Sequence, residues 1–376
     1  MNYNNTYKKY LKNYYYEHLP DNNVFPNKNY YKYFIVIPVY NEYPIILKTL
    51  DSINYQNKQL LNNTLVVLVV NNNNNSNKTI VNNNFKSYKS IHRSKYNFEC
   101  IALDYFSINK SIDNKKFGVG VARKIGMDFT LKYSKKSSLI FSLDADTLVS
   151  KQYLSTVINH YHNKLFKVCT LNFKHQKSND RIINKGIELY EKELYNIAKQ
   201  IKKCKSPYGY ISMGSAIVCT VEAYIAVGGM SQRKAAEDFY FMQSLAKFTT
   251  IYNIKETLIY PSSRAEQRVH LGTGYRMKEY KNNQKFKDLF FSKESYVTLE
   301  KFIELIEKNY QKPYSILNKE LNKYFEYNVC NFLVVHKLNN IWEKINDNSK
   351  SKKQFMLFFH QWFDALKIMQ LLKHIN

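Results

Sequence analysis

Two aspartates separated by one residue stand directly after an apolar run. Asp144 and Asp146 follow Leu139–Leu143, which has the continuous apolar character of a buried strand. Carboxylate oxygens are hard ligands suited to Mg²⁺ or Mn²⁺, and a cation held there could also bind phosphate oxygens. Because aspartates this close together also occur in ordinary surface turns, it is their position after a strand that favours a metal site.

A second acidic pair, Glu237-Asp238, begins a predicted helix about ninety residues further on. Acidic residues in a first helical turn complement the helix dipole, which is a purely structural role. A carboxylate at the edge of a cleft can instead accept a proton from an attacking hydroxyl. The residues alone leave both roles open.

A third cluster is basic: Arg264, Arg268 and His270 precede Gly272-Thr273-Gly274. The guanidinium group matches phosphate geometry with paired donors. Glycines let a backbone approach a ligand closely or bend as a loop. A basic surface loop is the alternative interpretation of the same residues.

These clusters need a sheet to position them. Short β-rich runs alternate with helical stretches after residue 33, which predicts an α/β sheet with ligands at the carboxyl ends of its strands. The predicted strands are Phe34–Val39, Leu65–Val70, Glu99–Leu103 and Ser138–Leu143. We expect an irregular extension over 1–30, the α/β domain over 31–278, and a helical region over 279–376. An apolar stripe from Phe355 to Met369 is expected to pack on the α/β domain.

Composition narrows the function classes. The formal charge is +26, but only seven of 56 basic residues are arginines, and the lysines are spread along a chain rich in Asn, Tyr and Ile. This pattern is typical of an AT-biased coding sequence, so we do not expect a nucleic-acid partner; contact with an anionic membrane or substrate stays open. Five cysteines without a C-x-x-C pair, no secretory signal and no spanning apolar run favour a cytoplasmic protein.

Taken in order, several segments resemble family 2 glycosyltransferases, the large GT-A group. They are IPVYNE (37–42), GVGVARKIGMD (118–128), LDAD (143–146), GSAIVCTVEAYIAVGGM (214–230) and AEDFYF (236–241). The resemblance covers about residues 33–275. It implies a Rossmann-like mixed sheet flanked by helices, with a helical C-terminal extension.

The resemblance also implies roles for individual residues. The nucleotide-sugar would contact Pro38, Tyr40, Glu42, Asn71, Arg123, Asp144, Arg264 and Arg268. Asn71 stands where the family has an aspartate that reads the base, so the identity of the base is open. Asp146, with Asp144 and His270, would bind Mn²⁺ or Mg²⁺. Asp238 would be the catalytic base, with Glu237 positioning either Asp238 or the acceptor.

The implied reaction is transfer of a sugar from a nucleotide-diphosphate donor to a glycan, a lipid-linked molecule or another hydroxyl acceptor, as in cell-surface glycan biosynthesis. The separate metal and base carboxylates favour a single inverting displacement, although retention is not excluded by these motifs. Peripheral contact with the inner face of the membrane fits such acceptors. The alternative is a catalytically degenerate GT-A protein that binds nucleic acid or glycan.

Overall fold

The computed structural model describes residues 3–16, 25–115, 117–266 and 272–376. Their strands are β1 (Tyr33–Val39), β2 (Thr64–Asn71), β3 (Glu99–Tyr105), β4 (Leu139–Ser142), β5 (Leu148–Val149), β6 (Val168–Phe173), β7 (Ile217–Thr220) and β8 (Tyr252–Tyr260). Within these residues they form one sheet in the order β3-β2-β1-β4-β7-β6-β8-β5.

The sheet is mixed. Strands β3, β2, β1 and β4 run parallel, whereas β7 is antiparallel to both β4 and β6, and β5 is antiparallel to β8. Every residue of β1 and β2 is buried, as their unbroken apolar sequences predict for strands covered on both faces. The carboxyl ends of β1, β2 and β4 therefore share one edge of the sheet.

The described residues fall into two compact units, 1–187 with 212–282 and 188–211 with 283–376. The helices that begin in the first unit are α1 (Tyr3–Asn13), α2 (Ile45–Asn54), α3 (Lys58–Leu61), α4 (Lys78–Arg93), α5 (Val119–Thr130), α6 (Tyr153–Lys164), α7 (Arg181–Lys203), α8 (Val221–Ala226), α9 (Glu237–Phe248) and α10 (Thr273–Asn283). Single 3₁₀ turns cover Leu131–Tyr133 and Gly214–Ala216.

The second unit is helical, as predicted for the C-terminal region. Its helices are α11 (Lys293–Lys308), α12 (Tyr314–Tyr324), α13 (Tyr327–Val335), α14 (Leu338–Asp347), α15 (Lys352–Trp362) and α16 (Ala365–His374). Residues 188–211 belong here because Tyr208 donates to the carbonyl of His360 at 2.6 Å and Tyr190 packs on Phe286. The helical unit therefore includes residues 188–211, which the predicted boundary at 278/279 places in the α/β domain.

The apolar stripe finds its partners inside the second unit. Phe359 and Phe363 pack edge-on against Phe302, and Phe355 packs against Trp342, all three contacts lying within the helical unit. The stripe therefore supplies an aromatic core within the helical unit, which differs from the packing on the α/β domain that we expected.

The first described part of the N-terminal segment is helical, where we expected an irregular extension. Residues Tyr3–Asn13 form helix α1, and Tyr10 is buried against α5 and α8. Tyrosines spaced at helical intervals supply the apolar face of α1. The mean hydropathy of the segment hides this face because it treats tyrosine as a polar residue. Along the described parts of the chain, no helix combines the length and apolar character needed to cross a membrane.

Candidate active site

A cavity of about 880 Å³ opens at the carboxyl edge of β1, β2 and β4. The predicted site residues that line it are Pro38, Tyr40, Glu42, Asn71, Asp144 and Asp146. They are brought together by the parallel register that pairs Val39 with Val70 and Val36 with Ser142. We call this space the large cavity.

Asn71 offers the large cavity a hydrogen-bond acceptor. The residue is buried, and its Nδ2 donates to the backbone carbonyls of Val39 at 3.2 Å and Val69 at 2.9 Å. Because both amide hydrogens have a carbonyl partner, the group left for the cavity is the neutral oxygen Oδ1. Asn71 thus retains the acceptor expected at this position without the charge of an aspartate.

Asn84, which no sequence pattern marks as a site residue, links the ends of β1 and β2 by hydrogen bonds. It is fully buried on α4, and its Nδ2 donates to the carbonyl of Asn71 at 2.9 Å and to Oδ1 of Asn72 at 3.0 Å. Its Oδ1 accepts from the backbone amide of Asn41 at 2.9 Å. One side chain therefore fixes two loops that border the large cavity.

Two further lining residues were missed because loops supply them. Phe117 packs against Tyr40 with ring centroids 5.3 Å apart, forming an aromatic wall on the same cavity as Asn71. Lys234 also lines the cavity. A Cβ at Gly118 would lie 2.8 Å from the Lys234 Cα, so the glycine is what lets this loop approach α5.

Arg123 lies behind the cavity wall. Its Nη1 donates to Oε1 of Glu237 at 2.7 Å, and its Nη2 is hydrogen-bonded to Asp144. The side chain is 3% exposed and lines neither of the two cavities described here. A Cβ at Gly214 would lie 2.3 Å from the guanidinium, so the absence of a side chain at Gly214 leaves the space that the guanidinium occupies. In this geometry Arg123 positions two carboxylates, and the nucleotide contact that the resemblance implies stays a prediction.

The acidic pair at the start of α9 is closely confined. Glu237 is buried and paired with Arg123, whereas Asp238 is half-buried and accepts from the Phe239 amide at 2.8 Å. Burial raises the pKa of both carboxyls, and the positive charge of Arg123 opposes that rise. An ionised Asp238 under these conditions is a stronger base than an exposed aspartate.

Asp146 is paired with a guanidinium. Nη2 of Arg264 donates to Oδ2 of Asp146 at 2.6 Å and to both carboxylate oxygens of Glu42, at 3.1 and 2.9 Å. Arg264 belongs to the segment after β8, so this contact joins three separate parts of the chain. The other two predicted members of the basic cluster, Arg268 and His270, lie outside the described residues.

A smaller cavity of about 220 Å³ is also lined by the two aspartates. It shares Asp144, Asp146 and Glu266 with the large cavity, and Tyr275 and Ser215 also line it. Ser215 hydrogen-bonds Asp144, which fixes that carboxylate between the two spaces. The arrangement suits two ligands that meet at Asp144 and Asp146.

The donor set suits a divalent cation in part. Among the described ranges there is no group of three His, Cys, Asp or Glu side chains that could hold a metal ion. Asp146 and Asp144 are nevertheless partly exposed oxygen donors at a ligand cavity, and Arg264 already places one positive charge against Asp146. These residues fit a cation whose remaining ligands come from a bound diphosphate and water.

The sequence model of the family described as Glycosyl transferase family 2 matches residues 34–222. Two solved structures match the chain at low sequence identity. S. aureus TarS 1–349 with UDP-GlcNAc is 15% identical, covers 91% of this chain and 81% of its own, and gives a TM-score of 0.42. The mannosyltransferase PcManGT from Pyrobaculum calidifontis, with GDP-Man and Mn²⁺, is 13% identical over 96% and 94%, with a TM-score of 0.42.

No curated protein matches the chain significantly in sequence. The family match spans half of the 376 residues and includes Asp144 and Asp146, although it ends before Glu237. The mixed sheet flanked by helices is the GT-A architecture expected of that family. The chain therefore belongs to glycosyl transferase family 2 and is a glycosyltransferase.

Proposed function

We propose that this enzyme transfers a sugar from a nucleotide-diphosphate donor to a hydroxyl of a glycan or lipid-linked acceptor, with the help of Mn²⁺ or Mg²⁺. The observation that carries the proposal is the position of Asp144 and Asp146 between two cavities at the carboxyl edge of the sheet. In α/β sheets this edge is where nucleotides bind.

The large cavity is assigned to the nucleoside. Its aromatic wall of Tyr40 and Phe117 offers a face for the base, and Asn71 Oδ1 accepts one base N–H. Uracil and guanine both carry such a donor, so Asn71 alone does not select between them. Lys234, which lines this cavity, and Arg264, which is bonded to Asp146, supply positive charge for the diphosphate.

Asp146, assisted by Asp144, is the proposed metal-binding group. A bound cation would neutralise negative charge that builds up on the departing diphosphate. Arg123 and Ser215 hold Asp144 in place, so its carboxylate keeps one orientation between the cavities. The chain's own contribution here is a fixed pair of oxygen donors.

Asp238 is the proposed base. It takes the proton of the acceptor hydroxyl as that oxygen bonds to the anomeric carbon, while the bond from this carbon to the diphosphate oxygen breaks. The nucleoside diphosphate leaves with the electron pair, and attack from the opposite face inverts the anomeric configuration. The raised pKa of Asp238 supports this role, and the pairing of Glu237 with Arg123 supports a positioning role for Glu237.

The proposal is tested with UDP, GDP, dTDP, CDP and ADP, each with and without Mn²⁺, by thermal-shift binding. We expect one nucleotide to stabilise the protein only in the presence of the cation, and Asp146→Ala to lose that shift. Asp51→Ala, which removes an exposed carboxylate from α2, is the matched control. If no nucleotide stabilises the folded wild type, the degenerate binding module becomes the better interpretation.

A further inference from the structure

We propose that Arg264 is a resident counter-cation of the Asp146 site, which makes metal binding conditional on the diphosphate. In the free enzyme the guanidinium neutralises Asp146 and Glu42, and it opposes the entry of a divalent cation alone. When the donor binds, its diphosphate draws Arg264 away from Asp146 and the cation takes its place. This inference rests on the proposed function.

The first support is that Arg264 pairs with two carboxylates, those of Glu42 and Asp146. Glu42 is 5% exposed and lies at the end of β1, where an unpaired ionised carboxylate is costly. Arg264 satisfies both of its oxygens and reaches Asp146 through the same nitrogen. Glu42 is therefore a positioning residue that aims Arg264 at the metal-binding carboxylate.

The second support is the exposure of the contact between Arg264 and Asp146. The Asp146 side chain is 23% exposed and lines both cavities, and Arg264 is 27% exposed and lines the smaller one. The Asp146–Arg264 contact can thus be reached by a ligand from either cavity, whereas the Glu42 side chain borders the large cavity but is only 5% exposed. Of the two carboxylates held by one guanidinium, Asp146 is the more accessible and is placed to exchange its partner.

Electrostatics then sets the order of events. A divalent cation at Asp146 and a guanidinium at hydrogen-bond distance from the same carboxylate repel each other strongly. A diphosphate carries enough negative charge to accommodate both, with the planar guanidinium suited to its oxygens. The cation and the diphosphate should therefore bind with positive coupling, and Arg264 should be the source of much of it.

The test measures two affinities on the full chain: Mn²⁺ alone, by the electron paramagnetic resonance signal of free Mn²⁺, and UDP or GDP at saturating Mn²⁺. For Arg264→Gln we expect Mn²⁺ alone to bind about fivefold more tightly, since a repelling charge is gone. The same variant should bind the nucleotide about tenfold more weakly, since a diphosphate donor is gone. Opposite signs in one variant are the signature of the proposal.

Two variants act as controls. Arg264→Lys keeps the positive charge and should leave the affinity for Mn²⁺ alone near that of the wild type. Arg93→Gln makes the same chemical change at an exposed position at the end of α4 and should alter neither affinity. If Arg264→Gln does not fold, the double variant Arg264→Gln/Glu42→Gln replaces it, because the buried carboxylate that the guanidinium neutralises is then removed as well. This double variant must bind Mn²⁺ alone more tightly than the single variant Glu42→Gln.

The outcomes separate the two proposals. If the wild type binds a nucleotide with Mn²⁺ but Arg264→Gln binds Mn²⁺ alone no more tightly, the counter-cation role is overturned and the proposed function stands. If no nucleotide binds the wild type in any combination with Mn²⁺, the metal-dependent function itself is overturned, and this inference with it.

Discussion

Arg123 and Glu237 form a buried ion pair at 2.7 Å that links helix α5 to the first turn of helix α9. The other arm of the same guanidinium holds Asp144, the first carboxylate after β4. One side chain thus joins the proposed metal-binding carboxylates to the acidic pair that contains the proposed base. The two acidic motifs of the sequence are parts of one hydrogen-bonded assembly.

The first prediction concerns this link. In Arg123→Gln, loss of the positive charge should raise the pKa of Glu237 and Asp238 further, because Arg123 lowers both. The base must be ionised, so the acidic limb of the kcat profile should move to higher pH, and kcat at pH 7 should fall by roughly ten- to a hundredfold. The donor KM should change little; a raised KM with unchanged kcat would instead place Arg123 on the nucleotide.

Arg276→Gln is the control for that experiment. Arg276 pairs with Glu279 within α10 and lines neither cavity, so its loss should leave the pH profile unchanged. Arg123→Lys keeps the positive charge but loses the paired donors of the guanidinium. The acidic limb of its kcat profile should lie closer to that of the wild type than the limb of Arg123→Gln does.

The second prediction concerns Asp238. Asp238→Asn should lower kcat by about 10²–10⁴-fold, the usual contribution of a general base. Nucleotide affinity should stay near wild type because Asp238 lines neither cavity. Activity of the wild type should rise with pH through a midpoint above the ordinary range of aspartate, since burial raises the Asp238 pKa. Full activity of Asp238→Asn would show that another group accepts the proton. Asp51→Asn, the same change at an exposed aspartate of α2, is the control.

Much of the sheet could be predicted from the sequence because its central strands are unambiguous. The runs that form β1 and β2 are continuous, β-branched and buried, and no helical pattern competes with them. The antiparallel β7 could not be predicted in the same way, since Ile217–Thr220 is short and its place between β4 and β6 is fixed by long-range pairing.

The candidate site was predictable only as a set of residue types. Asp144 and Asp146 stand out because they follow a strand, whereas Phe117 and Lys234 reach the cavity from loops whose path depends on packing. The sequence also cannot say which partner a charged side chain takes. The family resemblance places Arg123 at the nucleotide, whereas in the structure its guanidinium is hydrogen-bonded to two carboxylates.

The third prediction concerns the N-terminal helix. Tyr10 donates to Oδ1 of Asp128 at 2.5 Å and accepts from Lys124 at 2.7 Å, in a cluster where both charged side chains are almost fully buried. Tyr10→Phe removes both bonds and should lower the free energy of unfolding by about 1–3 kcal/mol. Urea denaturation measures this. Tyr14→Phe, at a 47% exposed ring, should cost less than about 0.5 kcal/mol; equal effects would contradict an anchoring role for Tyr10.

The fourth prediction asks whether Asn71 can be replaced by the aspartate common in the family. In Asn71→Asp an ionised oxygen would face the carbonyls of Val39 and Val69, which now accept from Nδ2. Protonation removes that repulsion, so the folded-state pKa of the new carboxyl should be raised, and the stability deficit should grow as pH rises, reaching about 2–4 kcal/mol at pH 8. Thermal unfolding at pH 5 and pH 8 measures it, with the exposed Asn74→Asp as control. If both variants are equally stable at pH 8, the neutral amide is not required by the fold.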